Sequence, residues 1–131
     1  MKILIILSFL LFQITVFGQN SENQKDDVIF AVVETQANFP GGNNVFQKLL
    51  QTNFDSSVID CDSTGIQSTM IEFVVEKDGT LSNIRASGSN HSINIEAIRT
   101  VKSIKTKWNP GIYKNEKVRM RFQQPFRLMC S

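Results

Sequence analysis

Residues 69–87 read TMIEFVVEKDGTLSNIRAS, and this stretch decides the fold. From Thr69 to Glu76 the residues alternate, with Ile71, Phe73 and Val75 on one side and Glu72 and Glu76 on the other. A period of two is that of a half-buried strand. Lys77-Asp78-Gly79-Thr80 holds the Asp-Gly pair that favours a tight reversal, and Leu81–Ser87 returns with Ile84 and Ala86 on its apolar side. The segment predicts a hairpin.

Working outward, Ile93, Ala97, Ile98, Val101 and Ile104 fall on one stripe of a helix predicted over Ile93 to Thr106. Trp108-Asn109-Pro110-Gly111 stops it. On the other side, Val45, Phe46, Leu49, Leu50 and Phe54 make a second stripe, predicting a helix over Asn43 to Phe54 after the turn Asn38-Phe39-Pro40-Gly41-Gly42. Residues 53–68, polar and interrupted by Asp and Ser, predict a loop with room for a helical turn. The β-branched run Val28–Val33 predicts a strand. Lys117 to Leu128 predicts a last strand, and Pro125, having no amide hydrogen, confines it to an edge or a bulge. Strand, helix, hairpin, helix, strand is an α+β order: a small antiparallel sheet of about three to four strands with two helices on one face.

The chain of 131 residues and 14.8 kDa suits one domain. With 41% hydrophobic and 20% charged residues it is a globular composition, and a net charge of +2 gives no strong attraction to nucleic acid. Met1-Lys2 and the apolar run from Ile3 predict a secretory signal peptide over residues 1–18, followed by a polar leader over 19–27 and the domain proper over 28–131. The alternative is an uncleaved transmembrane anchor. Ile3 to Phe17 spans only about 22 Å as a helix, against a hydrocarbon core of about 30 Å. Export places Cys61 and Cys130 in an oxidising space, where they can pair or remain two buried thiols.

Chemistry-bearing patterns are sparse. No serine stands in a nucleophile-elbow setting, and the single histidine, His91, sits among Ser and Asn residues before a helix. Asp60-Cys61-Asp62 falls short of the ligand count of a zinc or calcium loop. No P-loop lysine follows Gly41-Gly42. The sequence therefore predicts no catalytic residue, no metal site and no cofactor. Charge is divided: residues 19–80 hold 3 basic and 10 acidic residues, residues 81–131 hold 10 basic and 2 acidic. The two halves are expected to interleave and neutralise each other, in preference to forming a basic binding face. Arg119, Arg121 and Arg127 share one side of the last strand, as a row facing an acidic partner or as a guard against aggregation.

Four stretches together carry a family resemblance. Phe39-Pro40-Gly41-Gly42 with Phe46 and Leu50, the hairpin Ile71–Gly79, the segment Ile95–Ser103 followed by Trp108-Asn109-Pro110-Gly111, and the closing Lys117-Val118-Arg119 with Gln124-Pro125-Phe126 resemble the TonB carboxyl-terminal domain, in its Bacteroidetes-type form. Departures are Ser68 where the family usually has glycine, a longer approach to Trp108 without its proline, and no tyrosine-proline before the acidic loop.

The resemblance implies a binding domain in which an extended segment of a TonB-dependent outer-membrane receptor, or of another envelope protein, adds as a strand beside the last strand. It places that edge on Val118, Arg119, Met120, Arg121, Phe122, Gln123 and Gln124. Pairing of two such edges would give a homodimer. A full energy transducer carries a proline-rich spacer; with 3 prolines this chain has none. The expected role is a periplasmic, exported binding module linked to transmembrane transport. A short transducer tethered to the inner membrane by its uncleaved N-terminal anchor and facing the periplasm is the alternative, and an envelope hydrolase a remote one.

Overall fold

The computed structural model describes residues 28–131, so the signal-peptide and leader assignments lie outside the described residues. In chain order the elements are β1 (Ile29–Phe30), α1 (Asn43–Asn53), a 3-10 turn (Ser56–Val58), β2 (Gly65–Val75), β3 (Leu81–Ser87), α2 (His91–Ser103), β4 (Gly111–Tyr113) and β5 (Glu116–Cys130).

β2 and β3 form the hairpin, closed as Glu76 N donates to the Thr80 carbonyl at 2.8 Å and Gly79 N to the Glu76 carbonyl at 2.9 Å. Asp78 Oδ1 accepts from Thr80 N at 3.0 Å and fixes the reversal. Gly79 adopts φ 84°, and a Cβ there would stand 2.2 Å from the Trp108 carbonyl oxygen, so only glycine fits. The register shifts between Glu72 and Val74, where Asn83 takes φ 50° on the opposite strand. Such a bulge increases the local twist.

β5 runs antiparallel to β2 over eleven residue pairs, from Gly65 opposite Cys130 to Val75 opposite Met120. The sheet order is β1-β5-β2-β3, with β4 also paired to β5. The α+β class with two helices holds, and three details of it are corrected here. The sheet is mixed and five-stranded, because β1 joins β5 in parallel. Residues 65–68, read as loop, open β2: Gly65-Ile66-Gln67-Ser68 buries no apolar side at a regular period, since Ile66 is exposed, and the pairing with Arg127–Cys130 supplies the order instead. β1 is also shorter than Val28–Val33. The chain leaves it and bridges Thr35 to Ile112 and Asn38 to Asn109. β4 and β5 are joined by Lys114 and Asn115, both with positive φ (49° and 61°), a two-residue turn without the usual glycine.

The helices cover one face. α2 starts at His91 rather than Ile93 because Asn90 caps it, its side-chain oxygen accepting from Ile93 N at 3.2 Å. Phe46 and Leu50 of α1 and Ala97 and Val101 of α2 meet Ile71, Phe73 and Val75 of β2 in the core. Trp108 lies at its centre, with ring centroids 4.8 Å from Phe46, 5.3 Å from Phe73, 5.4 Å from Phe39 and 4.8 Å from Phe122. Each fully buried ring of this kind contributes about 2–3 kcal/mol by burial alone. The structure joins Cys61 to Cys130, with Cα atoms 5.8 Å apart, so the loop before β2 is tied to the end of β5.

Candidate protein-binding edge

Alternation along β5 sends Val118, Met120, Gln124, Phe126 and Cys130 to the helix side, where all are buried, and leaves Arg121, Gln123, Pro125, Arg127 and Met129 exposed on the open face. The seven residues expected to form the edge do not behave as one unit. Val118 pairs with Gly111 of β4, and Arg119 with Ile29 of β1. Met120 lies between two strands, opposite Val75 on one flank and Phe30 on the other, and its sulfur accepts from Ala37 N at 3.2 Å. The expectation of an open edge starting at Val118 is therefore corrected. The apolar pair Ile29-Phe30 covers the outer flank at Arg119 and Met120, with Phe30 against the Tyr113 ring at 5.1 Å. From Arg121 to Cys130, β2 is the one strand paired with β5 among the described residues.

The open face is a polar ladder at one end and an apolar patch at the other. Glu76 accepts from Arg119 Nε at 2.7 Å and Nη2 at 3.1 Å, and from the Ser82 hydroxyl. Those bonds, the Arg119 ones foremost, hold its carboxyl below the usual range. Glu72 accepts from Gln123 Nε2 at 3.0 Å and from Arg85, with Arg121 Nε at 3.5 Å, and is lowered for the same kind of reason, Gln123 first. Acidic and basic halves of the sequence thus meet on adjacent strands.

Further along, Ile66 opposite Met129 and Met70 opposite Pro125 leave apolar side chains in water, with Ile66 66% and Met129 65% exposed. Arg127, opposite Ser68, stands between these pairs and makes no ion pair among the described residues. Of the three arginines that share a side, Arg119 is paired with Glu76, just past β2, Arg121 with Glu72 of β2, and Arg127 with no carboxylate among the described residues.

Beside this stretch lies a groove of about 280 Å³ between α1 and β5, lined by Gln47, Leu50 and Gln51 on the helix and by Gln124, Pro125, Phe126 and Arg127 on the strand. Sequence reading did not bring α1 to the edge. Gln47 and Gln51 lie off the apolar stripe of this helix, and their place beside β5 is a product of tertiary packing. His91 begins α2 and is exposed. Among the described residues no group of three His, Cys, Asp or Glu could hold a metal ion, and no helix is long and apolar enough to cross a membrane.

No curated protein and no solved structure is significantly similar to the chain. Residues 63–128 match the family described as the Gram-negative bacterial TonB protein C-terminal. The match runs from just before β2, through the hairpin and α2, to near the end of β5. The chain belongs to the TonB C-terminal domain family, whose members serve TonB-dependent transport.

Proposed function

We propose that this protein is an exported, periplasmic module that binds an extended segment of an outer-membrane receptor by adding it as a strand to β5. TonB C-terminal domains interact with outer-membrane receptors, and the family's role lies in transport rather than catalysis. The observation that supports the edge is the pairing of β5: its half from Arg121 to Cys130 is paired with β2 alone among the described residues. A strand with one flank unpaired presents N–H and C=O groups that an incoming backbone can satisfy. Pro125 removes one donor from the row without ending it.

Titration of the isotopically labelled, disulfide-bonded chain with peptides from the segment preceding the plug of outer-membrane receptors tests this. Chemical-shift changes from Arg121 to Met129 and along the α1 side of the groove are expected. No change there at millimolar peptide overturns the reading. Export is tested by the mass of the protein recovered from its native envelope. A chain starting at Gln19 supports a free module, and one retaining Met1 in the membrane fraction supports a tethered transducer instead.

A further inference from the structure

We propose that the groove between α1 and β5 selects the added strand, favouring a segment with a carboxylate opposite Arg127 and a carboxamide or hydroxyl side chain opposite Gln124. The proposal rests on strand addition at β5 and names the chemistry of the segment that adds.

In a strand laid beside β5, side chains alternate between faces, and each meets the β5 residue directly opposite it. Positions opposite Arg127 and Pro125 lie on the open face. Positions opposite Gln124 and Phe126 point toward α1. On the open face Arg127 is a cation without a carboxylate partner among the described residues, set among exposed Ile66, Met70, Pro125 and Met129. A carboxylate opposite it completes an ion pair whose surroundings are apolar, and the position opposite Pro125 suits an apolar side chain.

On the helix side three glutamines converge on the groove. Gln124 is buried, 3% exposed, and its Nε2 donates to the Pro125 carbonyl at 2.8 Å, which leaves the side-chain oxygen as the acceptor it can offer. Gln47 and Gln51 make no side-chain hydrogen bond among the described residues. A leucine entering here would strip water from amides and return nothing, whereas a carboxamide or hydroxyl bonds to them. Opposite Phe126, which lies against Phe54 at 4.6 Å, an apolar residue fits. Along β5 from Gln124 to Arg127 the side chains favoured opposite are amide, apolar, apolar and acid, whichever direction the segment runs.

Nine-residue peptides carrying Asp-Val-Val-Gln or the reversed Gln-Val-Val-Asp at these four places, which cover both strand directions, and variants at the acidic and amide places, are titrated into the disulfide-bonded chain. Replacing the aspartate by asparagine is expected to weaken binding about threefold, and by lysine about tenfold. Replacing the glutamine by leucine is expected to cost about fivefold. Arg127→Glu is expected to reverse the order, so that the lysine peptide binds better than the aspartate peptide. Arg127 is exposed, and an unchanged melting temperature confirms that the variant folds. Equal affinity for all peptides, or an Arg127→Glu chain that keeps the aspartate preference, overturns the selection rule while leaving strand addition standing. Failure of every peptide to bind overturns both.

Discussion

Glu96 and Arg99 stand one turn apart on α2, and the buried Glu96 carboxylate takes Arg99 Nε on both oxygens, at 2.8 and 2.9 Å. Oε1 also accepts from Asp55 N at 3.0 Å, and Arg99 Nη2 donates to the Asn53 carbonyl at 2.8 Å. The pair therefore caps the end of α1 and the loop after it, fastening one helix to the other. An isolated ion pair at this spacing on a helix contributes little, but here its hydrogen bonds also satisfy the orphan groups of a neighbouring terminus. Glu96→Gln is expected to destabilise the fold by about 2 kcal/mol, read from the urea midpoint at neutral pH.

The same residue sets a pH dependence. Glu96 is held below the usual carboxylate range by Arg99 first and by Asp55 N as well, and Glu76 and Glu72 are lowered by their partners on β5 and β3. A carboxyl whose folded pKa lies below its unfolded value, about 4.3 for Glu, adds stability above that value. The contribution fades as pH falls through the folded pKa, where the native form also takes up the proton. Urea midpoints should drop steadily below about pH 5. The gap between the native chain and Glu96→Gln, widest near neutrality, should close over that acid range.

The Cys61–Cys130 link joins residues 69 apart in sequence. Closing a loop of that length in the unfolded chain is worth about 4 kcal/mol in the chain-entropy account. The double variant Cys61→Ser, Cys130→Ser is expected to lose a stability of that order. Amide exchange should accelerate first in residues 126–130 and 65–69, where the last pairs of β5 and β2 lose their anchor.

Gly79→Ala tests a clash rather than a contact. The new Cβ would meet the backbone of Trp108, which cannot yield as a flexible side chain would, and φ 84° adds strain. A loss of about 3 kcal/mol or more is expected. Fluorescence of Trp108, the single tryptophan, reports the transition. Gly65→Ala is the control: φ is 107° but nothing lies within 4 Å of the added Cβ, so the cost should be about 1 kcal/mol, from backbone strain alone.

Local pattern carried the hairpin, both helices and the last strand, because each buries one face at a regular period. Ile71, Phe73 and Val75 point inward as their alternation requires. The parts that were not legible depend on distant partners. Gln67 and Ser68 are strand residues because Leu128 and Arg127 lie opposite them. Lys114-Asn115 makes a tight turn with neither glycine nor a strong sequence cue. At the edge, the family pattern placed the open stretch a few residues too early, since nothing in Ile29-Phe30 announces a parallel partner at Arg119 and Met120. The two cysteines gave no geometry until β5 brought their Cα atoms to 5.8 Å.

The long register between β2 and β5 has a mechanical consequence. Tension applied to the chain along β5 would run parallel to the strands, so the rungs with β2 would share the load in shear instead of breaking singly as a zipper does. Peeling from the far end is blocked by a covalent bond that closes the ladder just where an unzipping force would start. Separating β5 from β2 thus requires its rungs to fail together or the disulfide to open first.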